Sequence, residues 1–340
     1  MIITRAPLRV SFFGGGTDYP SHFVEHGGAV LGSAIDQYAF ITASPFRSEG
    51  LFDYAIRVTY REIENVGHVD DIKHVPFREA LKASGFDRDV ELHYIADLPA
   101  KTGLGSSSSF VVALLQALHK LNGRDVKGID LAYEAIHFER HVLGESVGCQ
   151  DQTFAAVGGF NMIEFRREDD ISVHPLPVSL GRVAELESHL MMFYSGITRR
   201  AEDVVKTQLT KVADNKDRYL RMRRQVDAAY DILTRSGSLT PFGELLDQAW
   251  MEKKALHSVI SNPEIDEMYD RAKAAGAIGG KLLGAGGGGF LMLFVPPERQ
   301  AAVEAALSGH CLVRPGLSAP GSDVIFNGTR MRAPVPSFVS

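Results

Sequence analysis

Four consecutive serines follow a Gly-x-Gly turn in this chain and lead directly into a run of apolar residues. The turn spans residues 103–105, the serines span 106–109, and the apolar run begins at Phe110. Glycine lets a backbone approach a ligand closely, and the first turn of a helix carries unpaired N–H groups and partial positive charge. The segment therefore predicts a phosphate-binding turn whose hydroxyls donate hydrogen bonds or ligate a metal ion. A serine N-cap is the alternative, but a cap requires only one serine.

Glu139 is a candidate metal ligand because it falls on the apolar stripe of a helix predicted over 129–143, together with Ala135. Buried carboxylates are rare unless they are paired or bind a metal. Beside a phosphate site Mg²⁺ is attractive, since it takes one or two protein oxygens together with phosphate oxygens and water. A structural ion pair with Arg140 or Lys101 is the alternative.

Further residues carry groups suited to phosphoryl transfer to an alcohol. Asp151 could accept the proton of the attacking hydroxyl, and Arg9 could bind the transferring phosphoryl group through its planar guanidinium. Thr17 and Asp18 follow three glycines and could hydrogen-bond sugar hydroxyls. Taken singly, each of these residues is better explained by a turn or a strand surface. Their joint occurrence is what favours a role in phosphoryl transfer over the separate structural explanations.

Composition limits the classes of protein to which this chain can belong. It has 340 residues, 45% hydrophobic and 23% charged, which is typical of a globular chain of about two domains. A formal charge of −6 argues against a general nucleic-acid binder. Cys149 and Cys311, the two cysteines, form neither a disulfide framework nor a zinc site, and no apolar run is long enough to span a membrane. We therefore expect a cytoplasmic protein without nucleic-acid or membrane partners.

Other phosphate-binding motifs are missing from the sequence or are misplaced in it. No segment matches the Walker pattern G-x-x-x-x-G-K-[ST]. Residues 284–289 match the G-x-G-x-x-G pattern of dinucleotide-binding proteins, but those glycines must follow a strand and open a helix. Here they precede a strand predicted over 290–295, so a Rossmann fold is disfavoured.

The wider pattern predicts strands and helices that position these residues. Strand composition occurs at 8–13 and 39–43, and residues 89–96 alternate between polar and apolar side chains. A helix over 106–121 is apolar nearly all round, so we expect it to be buried at the centre of a domain. The later segments are a charged boundary at 166–183, a strand at 190–194, a polar helical stretch over about 200–235 and the strand at 290–295.

Three motifs together resemble the signature of the GHMP kinases, the superfamily of galactokinase, homoserine kinase and mevalonate kinase. They are Arg5-x-Pro7-x-Arg9-(x4)-Gly14-x-x-x-Asp18, Pro99-(x3)-Gly103-Leu-Gly105-Ser-Ser and Lys281-Leu-Leu-Gly284-Ala-Gly286-Gly287-Gly288-Gly289. They stand in the family's order and cover almost the whole chain. The resemblance implies a two-domain α+β fold with the active site between the domains. The expected domains are an N-terminal, ATP-binding, ribosomal-protein-S5-like α/β domain over 1–170 and a C-terminal ferredoxin-like α+β domain over 171–340.

The resemblance also implies roles for individual residues. The ATP-binding positions would be Lys101, Gly103, Leu104, Gly105, Ser106, Ser107 and Ser108. Ser107 and Glu139 match the positions that hold Mg²⁺ in the family. Asp151 matches the catalytic aspartate, and Arg9 matches the cationic residue near the γ-phosphate. The acceptor would contact Gly16, Thr17, Asp18, Gly286, Gly287 and Arg199.

Within this family the segments 14–20, 148–161 and 193–199 resemble the D-glycero-D-manno-heptose 7-phosphate kinases. Those enzymes phosphorylate the anomeric hydroxyl of the sugar on the route to nucleotide-activated heptose for bacterial surface polysaccharide. Galactokinases carry Glu-His where this chain has Gly15 and Gly16, which disfavours galactose. The expected ligands are therefore ATP, Mg²⁺ and a sugar phosphate.

A 7-phosphate needs a cation, for which several arginines are candidates. Arg199 and Arg200 follow the strand at 190–194, while Arg218, Arg221, Arg223 and Arg224 are more typical of a solvated helix face. Three other functions stay open: a kinase for another sugar such as fucose, a non-catalytic sugar sensor, and an ATP-using decarboxylase of the mevalonate branch. A sensor is disfavoured because Glu139 and Asp151 are both present. The sequence leaves the exact sugar and the oligomeric state open.

Overall fold

Two β-sheets with helices packed against them make up the described part of the chain. The computed structural model describes residues 1–46, 48–197 and 215–328. Its strands are β1 (Ile2–Phe13), β2 (Gly28–Pro45), β3 (Ile56–Thr59), β4 (Ile63–Val66), β5 (Val90–Ala96), β6 (Phe160–Arg167), β7 (Asp170–Pro175), β8 (Leu190–Tyr194), β9 (Gly279–Leu282), β10 (Phe290–Phe294), β11 (Leu312–Val313) and β12 (Asp323–Asn327).

The helices of the described residues complete an α+β architecture. They are α1 (Pro20–His26), α2 (Val75–Ala83), α3 (Ser106–Leu121), α4 (Gly128–His137), α5 (Gln150–Val157), α6 (Leu180–Glu187), α7 (Lys216–Thr234), α8 (Thr240–Lys254), α9 (Pro263–Ala275) and α10 (Gln300–Ala306). Short 3₁₀ turns occur at Val69–Asp71 and Pro297–Arg299. The polar stretch expected from residue 200 is therefore described as a helix only from Lys216 onward.

The larger sheet has eight strands in the order β12-β1-β2-β5-β3-β4, and β6 and β7 extend it from β2. All of its pairings are antiparallel except that of β3 with β5. The smaller sheet has four antiparallel strands in the order β11-β8-β10-β9. One hydrophobic cluster joins Val10 and Phe12 of β1 to Met192 and Phe290 of the smaller sheet, so the inner end of β1 packs between the two halves.

The division between the two sheets differs from the expected division at residues 170 and 171. Residues 170–175 form β7, which pairs with β6 in the larger sheet. Residues 323–327 form β12, which returns to pair with β1. The sequence pattern could not indicate either pairing, because a charged hairpin resembles a linker and the partner of β12 lies at the other end of the chain.

Helix α3 is the buried prop behind the serine turn, as its apolar composition predicts. Residues from Phe110 to Leu118 on every face of α3 are buried. Two hydroxyls tie the helix to β1: Ser109 Oγ donates to the Pro7 carbonyl at 2.7 Å, and Thr4 Oγ1 donates to the Ala113 carbonyl at 2.7 Å. The start of α3 is therefore held in a fixed position relative to Arg9.

The helix predicted over 129–143 is interrupted near its end. Helix α4 stops at His137, and residues Phe138–Val142 continue as a π-helical turn that closes with the Leu143 N–H donating to the Phe138 carbonyl at 2.9 Å. Val142 at the end of this turn is exposed. Such turns widen a helix locally and are frequent at functional sites. Here the turn carries Glu139.

Candidate active site

A cavity of about 490 Å³ lies between the larger sheet and the helices of the smaller one. It brings together most of the residues expected to act on ATP and an acceptor. The expected residues on its wall are Arg9, Gly16, Asp18, Lys101, Gly103, Gly105, Ser106, Ser107, Ser108, Glu139 and Asp151. The cleft between the two halves is therefore where the expected chemistry can occur.

The start of α3 forms one wall of the cavity. Gly105 occupies the N-cap position with φ +75°, and no side chain caps the helix. A Cβ on Gly105 would lie 3.3 Å from Arg9 Cγ and 3.4 Å from the Asp151 carboxyl, so glycine is needed for this close approach. The alternative of a serine N-cap is therefore wrong. The N–H groups of the first turn point to a cavity that Ser106, Ser107 and Ser108 also line.

Arg9 and Asp151 form a two-point ion pair on the wall of the cavity. Arg9 Nε donates to Asp151 Oδ1 at 2.7 Å, and Arg9 Nη2 donates to Asp151 Oδ2 at 2.8 Å. Arg9 Nη1 also donates to the Gly103 carbonyl at 2.7 Å. Asp151 sits in the first turn of α5, whereas Arg9 lies on β1. The pair therefore fixes a carboxylate beside the glycine–serine turn.

Glu139 is fully buried and faces α3. Both of its carboxylate oxygens accept from Ser108 Oγ, at 3.0 and 2.9 Å, and one also accepts from the Gln152 side chain. Burial raises the pKa of Glu139 to about 8. Arg140 instead donates to the Val147 carbonyl and Cys149 Sγ, so the ion-pair alternative with Arg140 is not supported.

The oxygen atoms around Glu139 fit a magnesium ion. Glu139 contacts no cation among residues 1–46, 48–197 and 215–328. A buried charged carboxylate is unfavourable unless a positive charge lies beside it. The described residues hold no cluster of three or more His, Cys, Asp or Glu able to bind a metal. An ion here would need phosphate oxygens and water to complete its ligands, which is the coordination that Mg²⁺ prefers. The hydroxyl that contacts Glu139 belongs to Ser108, whereas Ser107 is more exposed on the cavity wall.

Asp18 is a second buried carboxylate on the cavity wall. It accepts from the Gly16 N–H at 2.9 Å and from the Gln150 N–H at 3.2 Å. A Cβ at Gly148 would lie 2.0 Å from Asp18 Oδ2, so the backbone at Gly148 packs tightly on the carboxylate. Burial, and next the charge of Asp151, raise the pKa of Asp18 above its usual value.

Several cavity residues were not found from the sequence. Ser11 Oγ and Gln150 Oε1 are buried and have no hydrogen-bond partner within the described part of the chain. Such atoms are available to a polar ligand. Gln150 stands beside Asp151 in the sequence, and Ser11 lies two residues after Arg9 on β1, so their neighbours were the available signal. Lys253 and Lys281 also line the cavity. Lys281 opens the third family motif but was given no role, and no local pattern distinguished Lys253.

Aromatic side chains form part of the cavity wall. They are His74, Tyr94 and Phe110, and Pro76 also lines the cavity. The Tyr94 and Phe110 ring centroids are 4.8 Å apart, and those of His74 and Phe110 are 5.7 Å apart. Flat apolar surfaces of this kind can stack against a planar heterocycle.

The structure corrects four of the expected site residues. Thr17 is fully buried, and its Oγ1 donates to the Gly14 and Ala29 carbonyls at 2.8 and 2.9 Å and accepts from the Ala29 N–H. Its hydroxyl is thus used in holding the turn. Leu104 packs in the core and contributes only its carbonyl, which accepts from Arg9 N–H. Gly286 and Gly287 pack against Ile260, so Gly284 and Ala285 line the cavity in their place.

The cations expected for a second phosphate are mostly not at the cavity. Arg199 and Arg200 lie outside the described residues. Arg218 and Arg221 both pair with Glu252, at 3.2 and 2.9 Å. Arg223 pairs with Glu164 and Asp227. Arg218, Arg221 and Arg223 are therefore engaged in ion pairs on α7, and Arg224 does not line the cavity either.

Two family models match this chain. The GHMP kinases N terminal domain matches residues 74–159, which contain the glycine–serine turn, Glu139 and Asp151. The GHMP kinases C terminal model matches residues 228–311, which contain α8 and the smaller sheet's glycine loop. No helix among the described residues is long and apolar enough to cross a bilayer.

Known proteins with similar sequences and structures agree with these models. A D-glycero-alpha-D-manno-heptose 7-phosphate kinase of Campylobacter jejuni is 32% identical over 309 residues, covering 88% of this chain and 91% of that protein. An L-fucokinase/L-fucose-1-P guanylyltransferase of Bacteroides fragilis is 26% identical over 88% of this chain but only 35% of its own length. A solved D-glycero-D-manno-heptose 1-phosphate kinase from Bacteroides thetaiotaomicron superposes with a TM-score of 0.70 at 25% identity, covering 95% of this chain and 98% of that one. This chain belongs to the GHMP kinase family and is an ATP-dependent kinase with the two-domain fold of that family.

Proposed function

We propose that this kinase transfers the γ-phosphoryl group of ATP to the anomeric hydroxyl of a sugar phosphate of the D-glycero-D-manno-heptose 7-phosphate type. The observation that carries the proposal is the single cavity in which the glycine–serine turn, the Arg9–Asp151 pair and Asp18 meet. The similarity to the heptose 7-phosphate kinase over nearly the whole of both chains supports this choice of acceptor.

ATP fits the end of the cavity formed by α3 and the aromatic wall. The uncapped N–H groups and hydroxyls at the start of α3 would bind the phosphates. Tyr94, Phe110 and His74 would contact the base, with Lys101 at the edge. This arrangement directs the γ-phosphate toward Asp151, because Gly105 packs directly against that carboxyl.

Ser107 and Glu139 would hold Mg²⁺, with Ser108 as a further oxygen beside Glu139. The bound ion would neutralise negative charge on the phosphates and orient them for transfer. Its positive charge would also favour the ionised form of Glu139, whose pKa burial raises to about 8.

The acceptor fits the part of the cavity lined by Asp18. Asp18, Ser11 Oγ and Gln150 Oε1 offer acceptors or donors for sugar hydroxyls, and Gly16 lines the same cavity. Asp151 would take the proton of the anomeric hydroxyl as its oxygen attacks the γ-phosphorus. The bond from that phosphorus to the bridging oxygen of ADP breaks, and ADP carries away the electron pair.

The product of this step would be a sugar 1,7-bisphosphate. An anomeric phosphate is the group through which sugars are joined to nucleotides, so the product would feed the synthesis of nucleotide-activated heptose for surface polysaccharide. We place the enzyme in the cytoplasm, where ATP is available. A kinase for a free deoxyhexose is the second candidate, since the fucokinase similarity spans 88% of this chain.

The acceptor is tested by measuring ADP release with a panel of free and phosphorylated hexoses and heptoses. We expect the highest kcat/KM with D-glycero-D-manno-heptose 7-phosphate, because Asp18, Ser11 and Gln150 offer partners for its hydroxyls and the Campylobacter jejuni relative is a kinase of that sugar phosphate. A preference for free L-fucose or another free hexose would overturn the proposed acceptor. Release of carbon dioxide together with inorganic phosphate would instead indicate a decarboxylase.

A further inference from the structure

Lys253 presents a positive charge to the cavity from the half of the molecule that does not carry Arg9. It lies near the end of α8, which packs on β9 of the smaller sheet. Its side chain is 6% exposed, and that small exposed part lines the cavity. Arg9 and Asp151 come from the larger-sheet half, so Lys253 is a cation that the other half supplies to the same space.

The Lys253 ammonium is held beside the phosphate turn. Its Nζ donates to the Gly284 carbonyl. Gly284 packs so closely on the turn that a Cβ there would lie 2.5 Å from Gly103 Cα. The Gly103 carbonyl in turn accepts from Arg9. The ammonium therefore lies at the junction of the second and third glycine motifs, near the Arg9–Asp151 pair.

Each of the three cations at this cavity uses some of its N–H donors within the protein. Arg9 directs three of its nitrogens at Asp151 and Gly103. Lys281 donates to the Ser11 and Phe12 carbonyls, at 2.8 and 3.0 Å, and ties β9 to β1. An ammonium has three N–H donors, and within the described ranges Lys253 has one acceptor and no carboxylate within 4 Å. Two donors are thus available to a ligand.

The charges around Lys253 also favour an anionic ligand. Arg9 on β1, Asp18 after β1, Asp151 on α5 and Lys281 on β9 all act on its charge. Burial, and next the charge of Arg9, lower the pKa of Lys253 to about 8. A phosphoryl group placed between the two cations would reverse that effect, because it attracts both.

We propose that Lys253 contacts the transferring phosphoryl group together with Arg9 and stabilises its charge in the transition state. A phosphate on the far end of a sugar acceptor is the other possible anion. It is disfavoured because Gly284 and Gly103 place the ammonium at the phosphate turn, which is where the γ-phosphate would be. This inference rests on the proposed placement of ATP on residues 103–108.

The test compares nucleotide affinities, so it does not require the acceptor. Lys253→Met, Lys253→Arg and the control Lys254→Met are titrated with Mg²⁺-ADP and with a Mg²⁺-bound non-hydrolysable ATP analogue. Lys254 is one residue away on α8 and pairs with Asp266 at 2.6 Å, outside the cavity. We expect Lys253→Met to lower the affinity for the ATP analogue about tenfold or more, since a charged hydrogen bond to the γ-phosphate is lost. The affinity for ADP should not change. Lys253→Arg should recover much of the analogue affinity, and Lys254→Met should match the native protein.

Turnover provides the second measurement. Lys253→Met should lower kcat about 100-fold with any accepted sugar and change the acceptor KM little. An unchanged ratio of analogue to ADP affinity in a folded Lys253→Met protein would overturn the inference. A rise in KM limited to phosphorylated acceptors would overturn it too, because Lys253 would then bind the acceptor's phosphate.

Failure of the proposed ATP placement is distinguishable from failure of the role of Lys253. Gly105→Ala places a Cβ against Arg9 at a positive φ, so it should distort the turn. The affinities for ADP and for the analogue should fall by the same factor. If folded Gly105→Ala binds ADP as the native protein does, the placement itself is wrong. If Gly105→Ala loses ADP affinity while Lys253→Met keeps the native ratio, only the role of Lys253 is wrong.

Discussion

The proposed role of Asp151 as the base depends on its contact with Arg9. The guanidinium contacts both carboxylate oxygens and also the Gly103 carbonyl, so the aspartate is held in one orientation beside the phosphate turn. A carboxylate in this position can receive the acceptor proton only if it is presented to the incoming hydroxyl. Its side chain is 28% exposed toward the cavity, which leaves that approach open.

Asp151→Asn should reduce kcat by about 10²–10⁴-fold, because the amide cannot accept the proton. Binding of ADP should change little, since the turn and the aromatic wall are unaltered. Turnover is measured by ADP release and binding by calorimetry. Asp231→Asn is a matched control, because Asp231 lies on α7 and pairs with Arg235 away from the cavity. Near-native turnover in Asp151→Asn would contradict its assignment as the base.

Individual residues differed in how far their role could be predicted from sequence. The glycine–serine turn was predictable because residue type, spacing and the following apolar run all act within one segment. Thr17 was misassigned because the direction of its hydroxyl depends on β2, which brings Ala29 to it. No sequence pattern indicated that Lys253 lies at the site, since its position depends on how α8 packs against the loop that carries Gly284.

At the scale of elements, the turn between β1 and α1 combines a supporting residue with a candidate binding residue. Thr17 Oγ1 satisfies the backbone of Gly14 and Ala29, whereas the neighbouring Asp18 carboxylate faces the cavity. The glycine loop before β10 has the same division: Gly284 lines the cavity while Gly286 packs on Ile260.

Substitutions at this turn should separate stability from acceptor binding. Thr17→Val should lower the free energy of unfolding by about 1–3 kcal/mol, because buried backbone groups lose their partner. The acceptor KM of the folded Thr17→Val protein should stay near the native value. Asp18→Asn should do the reverse, raising the acceptor KM while the ATP KM changes little. Denaturant unfolding and steady-state kinetics measure the two effects.

Thr17→Ser is the matched control for this turn, since it keeps the hydroxyl and should keep most of the stability. If Thr17→Val raises the acceptor KM strongly and leaves the stability unchanged, Thr17 binds the acceptor and the structural role given to it here is wrong. Equal effects of Asp18→Asn on the KM of ATP and of the acceptor would remove Asp18 from the acceptor site.

Helices and strands, like single residues, could be predicted from sequence only where the pattern that determines them is local. Periodicity predicted α3 and the strand at 190–194 with their observed bounds, because both have strong local patterns. It could not predict the π-helical turn that carries Glu139, since the residue types do not specify a hydrogen bond between residues five apart. Nor could it predict the long β2, where buried glycines and alanines pair with three other strands.

At the scale of the whole molecule, the candidate site exists only because two sheets meet at one cleft. The larger-sheet half supplies the serine turn, Glu139, Asp18 and the Arg9–Asp151 pair. The smaller-sheet half supplies Lys253 and the Gly284 loop, and Lys281 joins the two halves through carbonyls of β1. A site divided in this way suits a reaction between two substrates that must be brought together and shielded from water.

The central claim is that the phosphoryl group goes to the anomeric oxygen of a sugar that already carries a phosphate. The most direct measurement is phosphorus NMR of the product formed from D-glycero-D-manno-heptose 7-phosphate and ATP. The account predicts two sugar phosphorus signals, one retained from the 7-phosphate and a new one coupled to the anomeric proton. A new phosphate coupled to any other proton, or no product from this sugar while a free hexose is phosphorylated, would contradict it.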